Sequence, residues 1–294
     1  MRSRTPWAWI RLGLGAGILV VLLARLGADP FLDGLRLTNP WGLSAAVAIT
    51  AVTTLCCAWR WSVVARALGA DVPVGAAVTA YYRSQFLNAT LPGGVLGDVH
   101  RGVSHGRDIG SLGLGLRSVV WERCLGQAVQ VVLTVLVLLV LPSPMRPTAV
   151  VVAGVGLVAC LALAMVRRLP RDLRRILRTR RAGVSIALAS GAAAAGHTLV
   201  FLIAAETAGA TASLAVLLPV ALAVLLASAV PTSVAGWGPR EGAAAWAFGA
   251  AGLTAAQGVT TAVVYGVMAL VATLPGALLL IAGRRQKVAE VAHG

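Results

Sequence analysis

Residues 112–141 read LGLGLRSVVWERCLGQAVQVVLTVLVLLVL. The second half is almost pure valine and leucine, and the run exceeds the roughly 20 apolar residues that a bilayer-spanning helix needs. In hydrocarbon each backbone polar group must find its partner inside the structure, so a span is a helix or part of a closed barrel. Barrel strands alternate apolar and polar residues over about 10 positions. This run is continuous, so it predicts a helix. Its first turns carry Arg117, Glu122 and Arg123, and charge inside a span requires a reason.

The rest of the chain supports that reading. Of 294 residues, 58% are hydrophobic and only 12% charged, against about 25% charged in a soluble domain. Mean hydropathy is +0.85. The net charge of +15 comes almost wholly from arginine, and a sequence pI near 11.5 would suggest nucleic acid in a soluble protein. Here the arginines fall in short segments between apolar runs. That is the retention of basic residues on the cytoplasmic side, and it predicts no nucleic-acid partner. Cys56, Cys57, Cys124 and Cys160 lie in or beside apolar stretches without metal-ligand spacing.

Six full spans are predicted, at about residues 7–26, 41–59, 112–141, 148–166, 183–208 and 257–282. The apolar run Ala8–Leu26 is long for a signal sequence and reads as a retained helix. Trp7, Trp41, Trp59 and Trp61 are placed at span ends, where interfacial tryptophans belong. Arg60 and Arg66 are read as marking a basic side. Placing the basic segments in the cytoplasm puts both termini there, in a cell membrane, and leaves only Arg36 and Arg146 in external loops.

Two further units are broken. Residues 74–110 begin as a helix bearing Tyr81, Tyr82, Arg83, Gln85 and Asn88, stop at Leu91-Pro92-Gly93-Gly94, and resume at Gly97-Asp98 with Arg101 beyond. Residues 213–252 begin apolar, stop at Pro231-Thr-Ser-Val-Ala-Gly236, and resume at Gly238-Pro239-Arg240-Glu241. Proline and glycine in succession end a helix. Both units read as re-entrant hairpins, the first entering from the cytoplasm and the second from outside. Each contains an apolar residue, proline, four residues and glycine, followed by an arginine and an acid. Such a pair fits an inverted repeat whose broken helices frame a substrate site, with half-helix N-termini offering N–H groups to an anion.

The ionisable residues in these apolar surroundings are Arg83, Asp98, Arg101, Glu122, Arg123, Glu206, Arg240 and Glu241. An ion at the bilayer centre costs at least about 2.5–3.5 kcal/mol unless it is paired or wet. Adjacent residues leave a helix on different faces, so Glu122 and Arg123 need different partners, as do Arg240 and Glu241. Cross-pairs Glu122–Arg240 and Glu241–Arg123 would satisfy all four. The set reads either as a salt-bridge cluster that holds the hairpins or as a charged cavity for a phosphate head group, which suits arginine's planar fork. The segment 167–181 spaces Arg167, Arg168, Arg171, Arg174, Arg175 and Arg178 around Leu169, Leu173, Ile176 and Leu177. It predicts a basic amphipathic helix at the cytoplasmic surface, a topology anchor that attracts anionic lipid. His197 reads as a helix–helix hydrogen bond, and His100 and His105 lack metal spacing. No phosphate-binding loop or nucleophile elbow occurs. The sequence predicts neither an enzyme nor a cofactor nor a metal.

The ordered set Arg60, Tyr82, Phe86-Leu87-Asn88, Leu91-Pro92-Gly93-Gly94, Gly97-Asp98, Arg101, Ser118, Glu122-Arg123, Gly126, Pro231, Gly236 and Gly238-Pro239-Arg240-Glu241 resembles the flippase-like membrane region of lysylphosphatidylglycerol synthases. The likeness runs over about residues 8–285. It implies movement of an anionic, aminoacylated or glycosylated lipid between leaflets, and two re-entrant segments meeting in the membrane. It carries function to Asn88, Pro92, Gly97, Asp98, Arg101, Glu122, Arg123, Gly236, Gly238, Arg240 and Glu241. With Arg83 from the charge argument, the expected substrate-binding set is Arg83, Asn88, Asp98, Arg101, Glu122, Arg123, Arg240 and Glu241. Gly294 follows closely on the last predicted helix, which predicts one transmembrane domain over 1–294 and no soluble lysyl-transfer domain. The alternative expectation is a non-transporting membrane scaffold for a lipid-modifying enzyme or glycosyltransferase.

Overall fold

Helix boundaries follow the local chemistry closely. In the computed structural model, which describes residues 6–141, 143–148, 151, 154–155, 169–230 and 232–282, α1 (Pro6–Leu26) ends where Gly27 turns to φ +76°. Pro30 then helps start α2 (Asp29–Leu37), and the two axes differ by 99°. The loop expected after the first span is therefore a helix. It lies against α11 (Ala255–Thr273), where Thr260 Oγ1 donates to the Pro30 carbonyl at 3.1 Å.

The second span, α3 (Pro40–Leu68), starts on Asn39, whose side chain accepts the Gly42 N–H at 2.8 Å. It is 29 residues long, about 44 Å at 1.5 Å per residue, and continues well past the predicted end at Trp59. The extension changes two assignments. Arg60 and Trp61 are buried inside the bundle rather than placed at an interface, whereas Trp41, Trp59 and Arg66 remain exposed. Arg60 can enter because carboxylate and hydroxyl partners wait for it there.

The first broken unit is α4 (Val74–Thr90) and α5 (Leu96–Asp108). The long run that opened the sequence is α6 (Leu112–Val140). The short basic helix α7 (Leu169–Ile176) precedes α8 (Arg180–Thr207). The second broken unit is α9 (Leu214–Ser228) and α10 (Pro239–Ala250). After α11 a turn at Leu274 leads into further helix, and the whole run reaches Ala282.

Among the described residues four helices are long and apolar enough to cross a membrane: Pro40–Leu68, Leu112–Val140, Arg180–Thr207 and Ala255–Ala282. The bent pair Gly13–Leu26 and Asp29–Leu37 makes a fifth candidate. The span predicted at 148–166, Cys160, Arg167, Arg168, Pro231 and the basic residues after 282 lie outside the described residues or almost wholly so. Helix α3 packs along α8, α11 packs against α10, α2 and α3, and α5 packs on α6. The largest core joins Phe201, Val220, Phe248 and Met268 from α8, α9, α10 and α11. The chain is a polytopic, all-α membrane bundle.

Helix α7 is amphipathic as predicted, but its apolar side is packed on protein. Ile176 is fully buried with Val64, Leu68, Trp121 and Ile186. Asp172, also buried, accepts Arg117 Nε at 2.9 Å and Nη2 at 2.5 Å. Arg171, Arg174, Arg175 and Arg178 face outward.

Candidate functional site

Both broken units resume with an acid in the third position of the second helix. Asp98 holds that place in α5 and Glu241 in α10. A carboxylate in the first turn accepts otherwise unpaired N–H groups and suits the positive helix end. Around these two acids the side chains are arranged differently.

In the first unit the charges are shared across three helices, α3, α5 and α6. Asp98 Oδ1 accepts Ser84 Oγ at 3.0 Å and Arg101 Nη2 at 3.1 Å. Its Oδ2 accepts Asn88 Nδ2 at 3.0 Å and pairs with Arg123 Nη2 at 2.7 Å. Asn88 Oδ1 takes the Gly97 N–H at 2.8 Å, so this one amide ties α4 to the start of α5. Glu122, with 0% exposure, accepts Arg60 Nε at 2.9 Å and also pairs with Arg60 Nη2. It accepts the Tyr81 hydroxyl at 2.8 Å and Arg101 Nη2 at 3.0 Å. Arg60 Nη1 donates to Ser190 Oγ on α8 at 3.0 Å. The Arg101 guanidinium lies between two rings, 4.1 Å from Tyr81 and 4.5 Å from Trp61, a placement that stabilises a cation away from water.

In the second unit the pair is local. Arg240 donates from Nε at 2.9 Å and Nη2 at 2.6 Å to Glu241 Oε1, while Glu241 Oε2 accepts the N–H of Gly238, the N-cap, at 2.6 Å. Helical geometry alone points these neighbours to different partners. They meet because Glu241 folds back over the helix end, and the long arginine side chain can follow it. The expected cross-pairs Glu122–Arg240 and Glu241–Arg123 are accordingly not formed. Each acid is already satisfied within its own unit.

The two breaks touch. Gly93 N–H donates to the Ser233 carbonyl at 2.8 Å, and a Cβ on Gly94 would come within 2.6 Å of Ser233 Oγ. Beside this junction lies a cavity of about 670 Å3, walled by α3, α4, α5, α6, α8, α10 and α11. That volume lies within the range of ligand sites.

Of the eight residues singled out from sequence, Asn88, Asp98, Arg123 and Arg240 line this cavity. Glu122 and Glu241 sit behind its wall as fully engaged partners, and Arg101 sits with them, its Nη2 shared between Asp98 and Glu122 while its buried Nε and Nη1 make no hydrogen bond. Arg83 stands apart, with Nη2 donating to the Leu279 carbonyl at 3.0 Å, and Glu206 is exposed near the end of α8. The wall also contains groups outside the expected set: Arg60, Gln85, Gln127, Gln130 and His197. The glutamines were legible by spacing, since Arg123, Gln127 and Gln130 fall at i, i+4 and i+7 on one helix face. Arg123 keeps 45% of its side chain accessible, and that face opens on the cavity.

An all-helical membrane bundle whose two interrupted helices meet beside an arginine-lined cavity is the class these observations define. The chain belongs to the family described as the lysylphosphatidylglycerol synthase TM region, whose profile matches residues 8–276. Comparison with curated proteins and with solved structures gives no match.

Proposed function

We propose that this protein is a lipid translocase that passes the polar head group of an anionic, aminoacylated or glycosylated lipid through its central cavity. The observation that carries this reading is the meeting of the two helix breaks, Gly93 on Ser233, beside a cavity lined by Arg123 and Arg240. A head group crossing hydrocarbon needs a polar path, and a fixed guanidinium offers a phosphate paired donors. The chain acts as a carrier rather than an enzyme, in a cell membrane, with both termini cytoplasmic under the positive-inside rule. The outward arginines of α7 rest on anionic lipid at that surface.

The test is leaflet exchange of a fluorescent anionic phospholipid in vesicles containing the purified chain. Arg240→Gln removes a cavity-lining cation and leaves Glu241 able to cap Gly238. Loss of one charge-assisted hydrogen-bonding group corresponds to about 10-fold or more, and exchange should fall by that factor. Exchange unchanged from wild type, with the variant folded and inserted, rejects the reading.

A second reading, a membrane scaffold for a lipid-modifying enzyme, is favoured by one observation. Arg101, Glu122 and Glu241 are buried behind the cavity wall, and both acids are fully committed to pairs inside the fold. It would show itself as an enzyme that co-purifies with a chain having no exchange activity.

A further inference from the structure

The acceptors and donors around the cavity are unevenly spent. Among the described residues Asp98 is the one acid that lines it. Both its oxygens are taken twice, by Ser84 and Arg101 on one and by Asn88 and Arg123 on the other. A carboxylate has about four lone-pair sites, so Asp98 has none left for a ligand ammonium. Glu122 and Glu241 are fully buried behind the wall. Arg60, Arg123 and Arg240 line the cavity as cations. Four guanidiniums, counting Arg101, face three carboxylates, and the site keeps one net positive charge.

One uncharged donor on the wall is unspent. Gln130 is only 9% exposed, lines the cavity, and its amide nitrogen has no hydrogen-bond partner. A buried donor left unpaired costs about 1–3 kcal/mol, a cost that a ligand acceptor removes. Gln127 lies one turn nearer Arg123 on the same face of α6, and His197 of α8 lines the same cavity. The Arg123 guanidinium is thus followed along α6 by two amides able both to give and to accept hydrogen bonds.

We infer that the cavity selects a lipid whose head group joins a phosphate to an uncharged, hydroxyl-rich polyol or sugar, and that it rejects head groups carrying an ammonium. Arg123 and Arg240 take the phosphate, and Gln127 and Gln130 read the hydroxyls. This rests on the reading of the cavity as a head-group site, and it narrows the ligand to the glycosyl or polyol class over the aminoacyl class.

The experiment is native mass spectrometry of the purified full chain with phosphatidylinositol, phosphatidylglycerol, phosphatidic acid and lysylphosphatidylglycerol, run beside leaflet exchange of the same four lipids. Phosphatidylinositol and phosphatidylglycerol should be retained at least about 10-fold better than the lysyl lipid. Gln130→Leu should lower phosphatidylinositol retention about 3- to 10-fold and leave phosphatidic acid, which has no head-group hydroxyl, unchanged. Gln127→Leu should act in the same direction, and Gln130→Glu should raise retention of the lysyl lipid. Equal or better retention of the lysyl lipid by wild type overturns the inference, even where exchange is robust. Equal losses of phosphatidylinositol and phosphatidic acid in both leucine variants also overturn it. Selective retention without any leaflet exchange supports the inference and removes the translocase reading instead.

Discussion

The two broken units present the same element, a helix that stops and restarts with an acid in its third position, and they anchor it in opposite ways. In the first unit Asp98 and Glu122 bind arginines from α3, α5 and α6, and every ion pair except Asp98–Arg101, which lies within α5, is also a tie between helices. In the second, Glu241 binds its own neighbour and its own helix end. The first arrangement fixes positions of separate helices. The second is a self-contained cap that can move as one body with α10. A cavity between one fixed wall and one self-contained wall can change shape without unpairing any charge.

The largest predicted effect tests that asymmetry directly. Glu122→Gln leaves Arg60 and Arg101 as buried cations short of their shared partner. Removing one member of a buried pair costs about 3–5 kcal/mol, and the folded yield and thermal midpoint in detergent should drop sharply. Glu241→Gln keeps an amide oxygen for the Gly238 N–H and frees only Arg240, which borders the cavity. It should cost less, about 1–3 kcal/mol. Equal losses in the two variants would mean that both clusters are equally committed to the fold, and the asymmetry would be gone.

The next effect concerns two glycines that serve as seats for guanidiniums. A Cβ on Gly126 of α6 would stand 2.7 Å from Arg60 Nη1 and 2.8 Å from its Cζ. On Gly266 of α11 it would press on Arg240 Nη2, closer than the nearest Arg60 atom comes at Gly126, and stand 3.0 Å from Arg240 Cζ. Overfilling a packed site costs about 1–3 kcal/mol. Gly126→Ala should incur that loss, because Arg60 is held by Glu122 and Ser190 on separate helices and has no room to retreat. Gly266→Ala should lose less stability and more leaflet exchange, since Arg240 can swing toward the open cavity. Thermal unfolding and exchange measured on the same samples separate the two outcomes. A larger stability loss for Gly266→Ala would reverse the assignment of fixed and movable walls.

The breaks, the charged residues and the membrane class were readable because each violates a strong expectation. Charge in an apolar run and Pro-Gly in a helical pattern both need explanation. Pairing was not readable, because it depends on which helices become neighbours. Arg60 and Arg66 look alike in sequence, six residues apart on one helix. The first is buried against Glu122, and the second forms an exposed pair with Asp71. The parallel of proline, four residues and glycine is also only partly structural. Gly97 is the second residue of α5, whereas Gly236 lies in a turn before the N-cap of α10. What the units share is the acid at the third helical position. Uncharged Gln127 and Gln130 are legible only through their spacing from Arg123, because amides in an apolar helix break no rule as loudly as an arginine does.

The backbone at the breaks supplies the smallest effect. In the first unit the left-handed positions are Gly93 and Gly94, with φ +94° and +65°. In the second they are Ala235, Gly236 and Gly238, with φ +50°, +83° and +112°, the first two inside a tight turn closed by the Val234–Trp237 pair at 2.9 Å in both directions. Two successive positive φ values define a turn that prefers glycine at both places. An alanine there carries about 1–2 kcal/mol of steric cost that glycine does not. Glycine also loses more entropy on folding, about 0.5–1 kcal/mol, so Ala235→Gly should raise stability by roughly 1 kcal/mol or less. A measurable rise in thermal midpoint with unchanged exchange makes the strain incidental. A rise accompanied by slower exchange makes it part of how the second unit moves, because the relaxed turn would deepen one conformation of the movable wall. A fall in midpoint would contradict the left-handed assignment at Ala235, and with it the difference drawn between the two breaks.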